Sequence, residues 1–68
     1  MRASYKKLWK LLIDRDMKRR DLCALAHVSP TSIAKLSKGE NVNTDILVKI
    51  CHALNCDIAD IIEMLNDN

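Results

Sequence analysis

Apolar residues recur along the chain at spacings of three and four, the repeat of an amphipathic helix. The first stripe comprises Tyr5, Leu8, Trp9, Leu12 and Ile13. Ser4 is a candidate N-cap for this first helix, and residues 14–17 should end it. A second, shorter helix is predicted over about residues 18–26. Its inward positions are Leu22 and either Leu25 or Ala26.

A third helix is predicted to begin at Ser29-Pro30, since serine is a favoured N-cap and proline loses no hydrogen bond in the first helical turn. Ile33 and Leu36 form its inward stripe. Gly39 is the only glycine of the chain, and it lies where a left-handed residue would end the helix.

Two more helices are predicted after the polar loop that follows Gly39. Asn43 or Thr44 would cap the fourth, whose stripe is Leu47, Ile50, Cys51 and Leu54. Asp57 and Asp60 resemble a capping pair for a fifth, with Ile58, Ile61, Ile62 and Leu65 inward or at an interface. Five helices joined by short loops predict a compact all-α fold that forms a single domain, residues 1–68.

Composition narrows the functional classes. The chain has 68 residues, one Gly, one Pro and no Phe, which excludes turn-rich barrels and sandwiches. It has no apolar run of about 18 residues and no signal peptide, so we expect a cytoplasmic protein without membrane contact. It also has no nucleophile–base pair and no glycine-rich phosphate loop. We therefore expect neither an enzyme nor a cofactor.

The three cysteines do not form a recognisable metal or disulfide motif. Cys23, Cys51 and Cys56 are an odd number without a C-x-x-C pair, which is a poor disulfide framework. His27 and His52 do not complete the paired spacing of a structural zinc site. We interpret the cysteines as buried apolar thiols and expect no metal.

Charge is divided unevenly along the chain. Residues 1–38 contain ten Lys/Arg and three Asp/Glu, a net charge of +7, and residues 39–68 contain one and six, a net charge of −5. This asymmetry indicates a basic face for a polyanion and an acidic face directed away from it. Two solvated faces of opposite sign would produce the same pattern.

Residues 22–39 have the pattern of a helix-turn-helix. The small Cys23 allows a close helix crossing, a turn follows four residues later, and a capped helix comes next. Its outward positions are Thr31, Ser32, Lys35 and Lys38. In this arrangement the second helix of the motif enters the DNA major groove.

With these residues, the chain resembles the Cro/cI-type (XRE) helix-turn-helix repressors over about residues 4–66. Residues 44–54 are similar to that family's fourth helix. The resemblance implies a five-helix, lambda-repressor-like domain. It also implies a small stand-alone transcriptional regulator that binds double-stranded DNA, with its third helix in the major groove.

The resemblance assigns candidate DNA contacts residue by residue. The positions that contact base edges are Pro30, Thr31, Ser32 and Lys35. Arg19, where the family often has Gln, would contact phosphate or guanine, and Ser29 phosphate. Lys18 precedes the motif and has no base-contacting counterpart in the family, so we expect it to contact phosphate alone. The loop positions that approach the DNA backbone are Lys38, Asn41 and Asn43.

The sequence departs from the family at several positions, including Cys23, where the family often has Ala. The usual glycine of the turn is His27, and the family's Arg–Glu pair between the first and third helices is replaced by Leu12 and Ser37. We interpret Trp9 as a core or interface residue rather than a base-stacking platform.

The resemblance also implies a homodimer on an inverted repeat. The expected interface comprises Ile61, Ile62, Met64 and Leu65, with Leu11 and Ile13 of the first helix as the alternative. A protein-interaction module on the same fold, an antitoxin or adaptor, is the other functional hypothesis. We expect no small-molecule effector.

Overall fold

The computed structural model describes residues 1–66, and its main elements are four α-helices. They are α1 (Lys6–Asp14), α2 (Arg19–Ala26), α3 (Pro30–Ser37) and α4 (Thr44–Leu54). The first four predicted helices are therefore confirmed, with bounds within about two residues of those expected. Asp67, counted above among the acidic residues, lies outside the described part.

Two caps follow the sequence prediction and one does not. The Ser29 side chain accepts a hydrogen bond from the Ser32 N–H at 3.2 Å, and the Asn43 side chain accepts one from the Asp45 N–H at 2.8 Å. Helix α1 instead has Tyr5 at its N-cap position. Ser4 lies one residue earlier, in the strand Arg2–Ser4, but its Oγ still accepts a 3.4 Å hydrogen bond from the Lys6 N–H, the first of α1.

Residues with positive φ end the helices. Gly39 has φ +73°, His27 has φ +57° and Asn55 has φ +53°. After α3, the Glu40 N–H bonds the Lys35 carbonyl at 2.9 Å and the Gly39 N–H bonds the Leu36 carbonyl at 3.1 Å. This is a Schellman motif, which satisfies carbonyls that the helix end would leave unpaired.

The predicted fifth helix is wrong. Asp57 and Asp60 do form a capping pair, with the Asp57 N–H 2.9 Å from Asp60 Oδ2, but the turn they cap is a 3-10 helix of only three residues, Ile58–Asp60. The chain then becomes extended as β2 (Glu63–Leu65), which pairs antiparallel with β1 (Arg2–Ser4). This pairing satisfies backbone groups that a helix would have bonded internally.

The core lies between the four helices and the 3-10 turn. Its fully buried members are Leu8, Leu22, Leu36, Ile50, Leu54 and Ile61. Ile13 of the first apolar stripe is 72% exposed, and Ile58, predicted to be inward or at an interface, is 46% exposed, so neither lies in the core. Ala26, rather than Leu25, is the buried residue near the end of α2. None of the helices within residues 1–66 has the length and apolarity to cross a membrane.

Candidate nucleic-acid interface

Helices α2 and α3 form the predicted helix-turn-helix. Leu22 of α2 and Ile33 and Leu36 of α3 are buried, so the inward faces of both helices are fixed in the core. His27 adopts the left-handed conformation that the turn requires. Histidine tolerates this conformation better than most residues with a side chain.

The outer face of α3 is polar and basic. Thr31, Lys35 and Lys38 are all exposed, and their spacing places them on one side of the helix, away from Ile33 and Leu36. These side chains are therefore free of the core and able to reach a ligand that lies along α3.

The first turn of α3 holds three of the predicted contact residues in a fixed arrangement. Pro30 occupies the first helical position and is exposed. Ser32 is half-buried, and its Oγ lies 3.1 Å from Ser29 Oγ. The Ser32 hydroxyl is thus engaged with the helix cap, while Thr31 beside it is directed to solvent.

Arg19 is the first residue of α2, and its side chain contacts one side chain of α1 and one of α3. Its guanidinium carbon lies 4.1 Å from the centroid of the Trp9 ring of α1. Its Nη1 donates a hydrogen bond to Ser37 Oγ at the end of α3, and the Ser37 hydroxyl donates to the Ile33 carbonyl at 3.2 Å. Sequence reasoning missed these roles of Trp9 and Ser37, because no local pattern links three residues on separate helices.

The remaining predicted contacts lie at helix starts or in the loop after α3. Lys18 is at the N-cap position of α2 and is exposed. Asn41 is exposed in the loop, and Asn43 is exposed while its side-chain oxygen caps α4. The cap uses the amide oxygen of Asn43 and leaves its NH₂ group as a donor.

An open groove of about 590 Å³ separates α2 from α3. Its lining comprises Arg19, Arg20, Cys23, Ala24, Pro30, Ile33, Ala34 and Ser37. A second cleft begins at Trp9 and Ser37 and extends to Arg2 and Lys6 of β1 and α1. Ser37 lines both depressions, Arg19 lines the first and Trp9 lines the second.

The four residues predicted as a dimer interface do not share one environment. Ile61 is fully buried in the core and is corrected to a core residue. Ile62 and Leu65 are half-buried, and Met64 on β2 is 57% exposed. Only the last three offer apolar surface, and they do so from the extended end of the chain rather than from a helix.

The cysteines are half-buried rather than fully buried. Burial, followed by the neighbouring Cys56 thiol, raises the pKa of the Cys51 thiol. Within residues 1–66 no three His, Cys, Asp or Glu side chains come together as metal ligands would.

Comparison with known domains decides the family. The profile of the Cro/C1-type helix-turn-helix DNA-binding domain matches residues 7–67. The chain belongs to this Cro/C1-type family. The fold is similar to that of the transcriptional regulator VanUg, a solved structure with 56% sequence identity and a TM-score of 0.91. The alignment covers 97% of this chain and 88% of that one. No curated protein matches the chain.

The match to the Cro/C1-type domain covers both helices of the helix-turn-helix, α2 and α3. The residues predicted to contact DNA lie on α3, around the starts of α2 and α3, and in the loop between α3 and α4. The structure brings Thr31, Lys35 and Lys38 together on one helix face and places Arg19 beside the end of the same helix.

Proposed function

We propose that the protein is a transcriptional regulator that binds specific sequences of double-stranded DNA, with α3 in the major groove. The observation behind this proposal is the exposed face of α3, where Thr31, Lys35 and Lys38 stand clear of the core. A helix presented in this way fits the major groove and can reach base edges. The similarity to the transcriptional regulator VanUg supports the regulatory role.

The proposed contacts divide into two groups. Thr31 and Lys35 contact base edges, and Pro30 offers an apolar surface for a thymine methyl group. The phosphate contacts are Lys18, Arg19, Ser29, Lys38, Asn41 and Asn43. Phosphate contacts fix the position of the protein on the duplex without selecting a sequence. The Ser29 and Ser32 hydroxyls also bond each other, so each has only part of its hydrogen-bonding capacity left for DNA.

We further propose that two copies bind an inverted repeat as a two-fold dimer. A single α3 spans only a few base pairs, so a useful operator needs two half-sites about one helical turn apart. The apolar surface of Ile62, Met64 and Leu65 is the proposed interface.

Selection of bound sequences from a random duplex library tests this proposal. We expect an enriched inverted repeat whose half-site centres lie about 10 base pairs apart. An unenriched library would contradict sequence-specific binding. It would favour the other hypothesis, a protein-interaction module of the antitoxin or adaptor type.

The salt dependence of DNA affinity tests the proposed phosphate contacts. The logarithm of the association constant should fall linearly with the logarithm of salt concentration, by about 0.9 per phosphate neutralised. A slope of several units is expected from the basic residues at α2 and α3. Affinity that does not change between low and physiological salt would contradict DNA binding through this face.

A further inference from the structure

Arg19 is an exposed cation whose side chain is nevertheless fixed at two points. The Trp9 ring supports one face of the guanidinium, with 4.1 Å between the guanidinium carbon and the ring centroid. At the edge of the guanidinium, Nη1 donates to Ser37 Oγ. The backbone of Arg19 is fixed as well, because the residue begins α2. The side chain therefore joins α1, α2 and α3.

The two contacts leave most of the guanidinium available. A guanidinium has several N–H donors in one plane, and Ser37 accepts from only one nitrogen. Stacking on Trp9 covers a face of that plane and no donor. The free edge of the guanidinium can still offer paired N–H groups to an oxyanion, the geometry that suits phosphate.

Ser37 is itself oriented. Its hydroxyl hydrogen is used in the 3.2 Å bond to the Ile33 carbonyl, so the Oγ lone pairs are directed away from that carbonyl and towards Arg19. Helix α3 thus presents an acceptor at a defined place, and the position of Arg19 is tied to the helix that contacts bases.

We propose that Trp9 and Ser37 are positioning residues, which hold the Arg19 guanidinium ready for a phosphate of the DNA backbone. The proposal rests on the DNA-binding function proposed above. A free arginine loses several side-chain rotations when it binds, whereas Arg19 has lost them in the unbound protein. Binding then costs less conformational entropy, and the phosphate contact is held in register with α3.

A double-mutant cycle tests the proposal, with a fluorescently labelled duplex of mixed sequence as the probe at low salt. Trp9→Leu should lower affinity about threefold to tenfold when Arg19 is present. The same substitution should have no further effect in Arg19→Ala protein, because there is no guanidinium left to position. A loss of equal size in both backgrounds would make Trp9 a structural residue only and would overturn the proposal.

A second cycle combines Ser37→Ala with Arg19→Ala. Ser37 is exposed, so its substitution should leave the protein folded. It should also weaken binding only when Arg19 is present. Trp9→Phe keeps an aromatic face under the guanidinium and should restore most of the affinity that Trp9→Leu loses. If phenylalanine is no better than leucine, stacking is not the cause and the role of Trp9 is overturned.

Two controls separate this proposal from the proposed function. Lys49→Ala removes an exposed cation from α4 and should leave affinity nearly unchanged, in contrast to Arg19→Ala. If wild-type protein binds the duplex and Arg19→Ala weakens it, but Trp9→Leu and Ser37→Ala do not, positioning is overturned and DNA binding stands. If wild-type protein shows no salt-dependent binding, the DNA-binding function itself fails.

The stack can also be measured without DNA. Trp9 is the only tryptophan in the chain, so the emission spectrum reports its surroundings alone. Arg19→Ala should change this emission in the free protein, and Lys49→Ala should not. Identical spectra for wild type and Arg19→Ala would overturn the stack on which the proposal depends.

Discussion

At the residue scale, neighbouring side chains on α3 differ in what they can contact. Ser32 is half-buried and bonded to the cap, whereas Thr31 and Lys35 are exposed and lie four residues apart on one face. Lys18, at the start of α2, is also exposed but precedes the motif. The two lysines therefore have similar chemistry and different expected partners.

Substituting these two lysines should separate base recognition from backbone contact. Lys35→Ala should relax the preference at one operator position, with a loss of about 1–3 kcal/mol of discrimination. Lys18→Ala should weaken specific and random duplexes nearly alike, because phosphates have no sequence information. Binding titrations on operator and on single-base variants measure both effects. If Lys35→Ala lowers the affinity for all sequences equally, Lys35 contacts only phosphate, and base contacts are left to Thr31 and Pro30.

At the element scale, left-handed residues decide where helices end. His27 ends α2 and Gly39 follows α3, both with positive φ. Glycine adopts this conformation without steric cost, and a residue with a Cβ does not. Both positions thus have the same backbone geometry. Glycine fits it without strain at position 39, whereas the side chain of histidine is strained at position 27.

Replacing Gly39 by alanine and His27 by glycine should change the free energy of unfolding in opposite directions. Gly39→Ala should lower the free energy of unfolding by about 1 kcal/mol. The cause is backbone strain alone, since a Cβ at Gly39 meets no atom within 4 Å. His27→Gly should raise the free energy of unfolding by about 0.5 kcal/mol, because relief of strain exceeds the entropy that glycine adds to the unfolded chain. Urea unfolding measures both, and a destabilised His27→Gly would show that the imidazole contributes more than its backbone strain costs.

The sequence predicted the elements whose signals are local. Ser29, Pro30 and Gly39 lie at or next to the ends of α3, and the observed bounds of the helix agree with those predicted from them. The segment after Asp57 has a helical spacing of isoleucines and a real capping pair, yet it makes only a three-residue turn. Its partner strand is about 60 residues away, and no local pattern signals such a pairing. The link between Trp9, Arg19 and Ser37 escaped prediction for the same reason.

At the scale of the whole molecule, one exposed apolar side chain distinguishes each of the two candidate interfaces of the proposed dimer. Met64 on β2 is 57% exposed, and Ile13 at the end of α1 is 72% exposed. Met64 belongs to the proposed interface, and Ile13 belongs to the alternative interface on α1.

Aspartate substitutions at these two sites should identify the interface. Met64→Asp should give a folded monomer with weakened operator binding, because a charge in the interface loses its hydration without gaining a partner. Ile13→Asp should remain dimeric. Light scattering after gel filtration measures the mass, and circular dichroism checks the fold. A dimeric Met64→Asp together with a monomeric Ile13→Asp would move the interface to α1.

The pairing of β1 with β2 affects the order in which parts of the protein unfold. It joins residues 2–4 to residues 63–65, so nearly the whole chain is the loop that this contact closes. The folded helices already hold the neighbouring Tyr5 and Ile61 in the core, so separating the two strands breaks only three residue pairs. The ends should therefore separate many times before the helices melt. In hydrogen exchange, the amides of the strands should lose protection first, while those of α2 and α4 persist until global unfolding.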